Sequence, residues 1–67
     1  MFTISNYKKY LVIQSSDTDI SRLYILRDIG GIYQVNLTCG KGWLFKQNKI
    51  LNILKWERYF KYKLVWK

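Results

Sequence analysis

A chain of 67 residues has room for one domain, and at that size folding withdraws only about 60% of the unfolded chain's surface from water. Hydrophobic residues at 49% and aromatic residues at 18% still supply enough apolar surface to exclude intrinsic disorder. Twelve Lys and Arg against four Asp and Glu give a net charge of +8, which points to an anionic partner. The chain has no His, which excludes His-containing metal sites and His-based acid–base catalysis, and its one Cys excludes an internal disulfide framework.

Residues 1–16 lack the charged start followed by an apolar run of a secretory signal, and no stretch approaches the ~18 consecutive apolar residues of a membrane span. With a single cysteine, Cys39, the expected setting is intracellular and away from membranes. Without proline, linker tracts or repeats, residues 1–67 read as one domain.

The first clear element is Tyr10-Leu11-Val12-Ile13-Gln14, a β-branched and aromatic run that ends at the polar cluster Ser15 to Asp19 and reads as a strand. Ser16 and Asp19 are spaced like a capping box, and the aspartates Asp17 and Asp19 read as helix-start residues. This pattern predicts a helix over 18–29 that buries Ile20, Leu23 and Leu26 and stops at Gly30-Gly31. Residues 22–27 also suit a strand with Gly-Gly as a hairpin turn, and the capping pattern favours the helix.

Tyr33 to Leu37 alternates apolar and polar residues, and Trp43-Leu44-Phe45 follows after the glycine-rich segment 38–42. These two segments read as a hairpin turning through Thr38 to Lys41. From Asn48 to Phe60, Ile50, Ile53, Leu54 and Phe60 recur at helical spacing, widened by Leu51 and Trp56, while Asn52, Lys55, Arg58 and Tyr59 fall opposite. Residues 62–67 alternate again and read as either a last strand or a tail. The expected class is α+β: β-α-β-β-α, a small antiparallel sheet packed by two helices, with a C-terminal strand as an addition.

Catalytic chemistry finds no footing. Glu57 stands alone among cations, Cys39 has no His partner and suits a turn, and Gly40-Lys41-Gly42 lacks the spacing of a phosphate loop. The expectation is a non-enzymatic chain without cofactor, metal or small-molecule substrate. Binding chemistry is denser. Residues 1–40 net +1 and residues 41–67 net +7, and the second half interleaves its cations with seven aromatic rings. Ammonium and guanidinium groups neutralise phosphates while rings stack on unpaired bases. Phe45, Trp56 and Phe60 fall on apolar faces and are assigned to the core. Tyr33, Trp43 and Tyr59 are the stacking candidates, and Lys41, Lys46, Lys49, Lys55 and Arg58 are expected to form one exposed patch. Lying in a membrane interface would need a free apolar helix stripe, which a domain this small spends on its core.

The segments Leu26-Arg27-Asp28-Ile29-Gly30-Gly31-Ile32-Tyr33-Gln34-Val35-Asn36-Leu37 and Gly40-Lys41-Gly42-Trp43-Leu44-Phe45-Lys46 resemble a small module of giant and other large DNA viruses, with a "LGGKYN" segment before a "GxGWIF" segment. More distantly they are similar to the HepA-related domain of annealing helicases. The resemblance implies a β-α-β-β-α fold tied to DNA processing, and its matching positions here are Tyr33, Asn36, Lys41, Trp43 and Lys46. Departures are Ile32 in place of the family's lysine, the missing serine after Phe45, and a basic helix surface where the family's is acidic. The resulting expectation is a viral accessory or packaging module that binds nucleic acid, DNA rather than RNA, with little sequence specificity. The alternative is a protein-interaction or homo-oligomerisation module that docks on an acidic partner; a homodimer is compatible with either.

Overall fold

Phe2 and Ile4 alternate with Thr3 and Ser5 along the first strand, β1 (Phe2–Tyr7), which turns through Lys8 and Lys9 into β2 (Tyr10–Ser15). The computed structural model describes residues 2–16 and 19–67; the expected helix-start residues Asp17 and Thr18 lie outside them. A 3-10 turn (Ile20–Arg22) and the short α1 (Ile25–Asp28) lead to β3 (Ile32–Leu37) and β4 (Gly40–Lys46). A second 3-10 turn (Gln47–Lys49) opens α2 (Ile50–Phe60), and β5 (Leu64–Trp66) completes the sheet.

The domain is α+β with a five-stranded mixed sheet in the order β3-β4-β2-β1-β5. Its neighbours are antiparallel except β1 and β5, which run parallel with Phe2 opposite Leu64. The expected sheet was smaller and wholly antiparallel; β1 adds a strand before the first one expected, and β5 docks beside it. Glu57 fixes that docking by accepting a 2.7 Å hydrogen bond from the Leu64 N–H.

The β3–β4 hairpin forms as expected, with Tyr33 opposite Trp43, although its turn is Thr38-Cys39 and β4 already begins at Gly40. Pairing is irregular between Gln34 and Leu37. β2 pairs with β4 only from Tyr10–Lys46 to Ile13–Trp43, so the hairpin tip leaves the sheet there. Thr38 Oγ1 donates to the Tyr7 hydroxyl at 3.0 Å, and Gln14 Nε2 donates to the Cys39 and Lys41 carbonyls at 2.9 Å each. The tip is thereby folded over the sheet face that carries Val12, which is 0% exposed although it stands apart from the main core.

The main core fills the other face. Phe2, Ile4, Leu11, Ile13, Phe45 and Leu64 of the sheet pack against Ile53 and Trp56 of α2 and Leu26 of α1. Ile53 and Trp56 carry the buried stripe of α2, whereas Leu51, Leu54 and Phe60, expected on the apolar face, are exposed.

Residues 19–29 are not a hairpin arm, and in place of one helix they hold the 3-10 turn and α1, with Leu23 between them half-buried instead of in the core. The Trp43 indole N–H donates to the Ile20 carbonyl, which also accepts from Leu23 N–H in the 3-10 turn, and the Tyr24 N–H goes to Arg22. The carbonyl that a continuous α-helix would offer to residue 24 is thus claimed from the sheet. The N-cap is Asp19, whose carboxylate accepts from the Ser21 N–H, rather than Ser16. α1 closes at the glycines: Gly30 (φ +108°) donates to Arg27 and Gly31 to Leu26, the paired bonds of a Schellman end. A Cβ on Gly31 would stand 2.6 Å from the Phe45 ring, so the chain needs glycine there to lie on the core.

Candidate functional site

Sheet register decides which cations meet. Tyr10 lies opposite Lys46 on β4 and opposite Tyr7 on β1, so the Lys8–Lys9 turn sits at the same end of the sheet as Lys46. The chain then continues from Lys46 through one 3-10 turn to Lys49, whose aliphatic stem lies over Gly30; a Cβ there would be 3.1 Å from Lys49 Cε. Lys46, Lys49, Tyr10, Gly30, Ile32 and Leu44 line one cleft of about 340 Å³. No acid lines it. Lys8 and Lys9 belong to the half of the chain that is nearly neutral by count, and they enter this cluster only because β1 exists.

A second cleft of about 410 Å³ begins where the first ends, sharing Ile32 at the free β3 edge. Tyr24, Arg27, Tyr33 and Gly31 line it, with Trp43 and Ser21. The Arg27 guanidinium lies 5.6 Å from the Tyr24 ring centroid, a cation–π distance, and Tyr33 leans on Trp43 with ring centroids 5.3 Å apart. Tyr24 is 60% exposed and makes no cap hydrogen bond, so little in the fold depends on its ring.

The expected patch of five cations divides into three groups. Lys46 and Lys49 share the first cleft. Lys55 and Arg58 lie three residues apart on α2, together with Leu51, Leu54 and Glu57. Lys41 stands at the hairpin-tip end of β4, apart from the first cleft, where its charge acts on Asp19. The Ser21 hydroxyl and amide, then Arg22 and Lys41, hold the Asp19 carboxyl below the usual aspartate value. Among the described residues the single ion pair is Arg22–Asp19, at 3.8 Å and largely exposed.

The stacking candidates divide as well. Trp43 is 3% exposed and its N–H is committed to Ile20, so it is a core residue that only floors the second cleft. Tyr33 is half-buried in the second cleft, and Asn36 is exposed on the β3 edge. Tyr59 is 80% exposed and lies edge-on to Phe60. These two rings, with Asn52, Lys55 and Trp56, face Ile25 and Ile29 across an apolar groove of about 550 Å³. The Trp56 indole N–H is buried and has no acceptor among the described residues.

Tyr24 and Arg27 were missed because the sequence reads 18–29 as one helix serving the core. A cation three residues after an aromatic ring was the signal available. Among the described residues no helix is long and apolar enough to cross a membrane. No family model, curated protein or solved structure matches this chain, so the likeness to the viral module stands on the residues quoted for it alone.

Proposed function

We propose that this chain is a non-enzymatic module that binds nucleic acid through the lysine end of its sheet, by neutralising phosphates rather than reading bases in a groove. The observation that carries the reading is the acid-free cleft of Lys46, Lys49 and Tyr10, with Lys8 and Lys9 in the adjoining turn. Two lysines line the cleft and two more stand in the turn at the same end of the sheet, from two separate segments of the chain. Lys46 is exposed and Lys49 half-exposed, and neither has an ion-pair partner among the described residues, so the charge is open to phosphates. The viral accessory or packaging role, and DNA in preference to RNA, are supported by the resemblance.

Titration of fluorescent oligonucleotides across a salt series tests this. Four phosphate contacts give a log–log salt slope of about −3.6 on duplex DNA, or roughly a 100-fold loss between 50 and 200 mM salt. Replacing Lys46 and Lys49 by Ala should flatten that slope by about 2 and weaken all sequences alike. The melting temperature should stay within a few degrees, since both side chains reach solvent. A wild-type chain that fails to bind any polyanion at low salt overturns the proposal.

A second reading has its own observation. Leu51, 67% exposed, and Leu54 form an apolar stripe beside the α1–α2 groove, as a protein-docking or self-association surface would. Sedimentation of the free chain, with Leu51→Lys as the control, separates the two: a dimer abolished by that change, with no polyanion binding, would establish this alternative.

A further inference from the structure

We infer that the cleft of Tyr24, Arg27 and Tyr33 takes an unpaired base, so that the ligand is single-stranded nucleic acid wrapped around the free β3 edge. This rests on the nucleic-acid reading above and deepens it. The lysine cleft and the aromatic cleft meet at Ile32 beside the Gly30-Gly31 turn. One is lined by ammonium groups and the other by rings and a guanidinium, which is the division of labour between a backbone and its bases. Among the described residues no acidic side chain lines either.

The geometry suits a flat, sequence-tolerant guest. Trp43 on the floor has spent its N–H on Ile20, and the Ser21 hydroxyl is bonded to Asp19. Arg27 and the Tyr24 and Tyr33 hydroxyls are therefore the lining groups with donors to spare, and every base offers a π face to the guanidinium and to the two rings. A duplex keeps its bases stacked and presents phosphates and base edges, but no free base face. The aromatic cleft adds nothing for such a ligand. β3 is the outer strand of the sheet, and its start at Ile32 is 60% exposed, so a strand can pass from one cleft to the other without crossing covered surface.

The test compares three labelled ligands of one length on the full chain: oligothymidylate, an abasic phosphodiester strand and a duplex. The wild-type chain should bind oligothymidylate roughly 5- to 100-fold more tightly than the abasic strand, the worth of one to a few kcal/mol of base stacking. Tyr24→Ala should erase that ratio and leave duplex affinity unchanged, while Tyr24→Phe retains it. Tyr59→Ala, an exposed ring elsewhere, should change nothing. Equal binding of thymidylate and abasic strands by the wild type, or equal losses on all three ligands in Tyr24→Ala, overturns the base cleft while leaving the lysine site intact. Failure of the wild type to bind any of the three overturns the underlying reading as well.

Discussion

The two faces of the sheet are built on different terms. One carries Phe2, Ile4, Ile13 and Phe45, is closed by α1 and by Ile53 and Trp56 of α2, and holds most of the buried apolar surface. The other carries Thr3, Ser5, Gln14, Leu44 and Lys46, and its cover is a hairpin tip held by side-chain hydrogen bonds from Thr38 and Gln14. A thin domain can thus spend its helices on one face and leave the far end of the other for binding. The two clefts proposed to bind nucleic acid lie where the faces meet, at the β3 edge.

Trp43→Ala should have the largest effect, because it removes a large buried ring and the donor that fixes the Ile20 carbonyl. A loss of about 3–5 kcal/mol compares with a total stability of roughly 3–10 kcal/mol for a chain of this length. The variant should be largely unfolded by circular dichroism, and a melting temperature near that of the parent would show that the helical face does not hold the fold. Val12→Ala probes the other face. If the hairpin tip truly seals it, truncation should cost roughly 1.5–3 kcal/mol in urea unfolding; a cost below about 0.5 kcal/mol, the ordinary surface value, would mean that face is open.

The smallest effect concerns the cap beside Trp43. Asp19 titrates lower in the folded chain than its ordinary value, so its contribution is present above the unfolded pKa of about 3.9 and is lost as pH falls through the folded value. Stability should therefore decline on acidification below about pH 4. Asp19→Asn should remove part of that decline in an acid titration followed by tryptophan fluorescence. An unchanged acid profile would mean the exposed cap adds nothing.

The hairpin of β3 and β4, β2 and the second helix are legible in the sequence because their signals are local: alternation, a glycine-bearing turn, and apolar residues at helical spacing. β1 was not read, although Phe2 and Ile4 alternate with Thr3 and Ser5, because its turn is Lys8-Lys9. Lys8 takes φ +57° without glycine or asparagine to announce it. The break at Leu23 was illegible for another reason: the Ile20 carbonyl that would continue the helix accepts from the Trp43 indole, 23 residues away. The site suffered the same way. Sequence grouped cations by chain position and drew in Lys41, Lys55 and Arg58, whereas strand pairing groups Lys8 and Lys9 with Lys46 and Lys49.

The parallel pairing of Phe2 with Leu64 has a bearing on how the chain reaches this state. β1 can close a hairpin with β2 as soon as Tyr10 to Ser15 exist, but its other edge must wait for α2 to form and reverse the chain. During synthesis that edge stays bare until residues 64 to 66 have emerged, and Glu57 is already in place to receive the Leu64 amide when they do. A sheet finished by such a distant segment closes late and cooperatively, since loop entropy is lost before the contact repays it. The interval before closure is when an unpaired β1 edge is open to pairing with another chain.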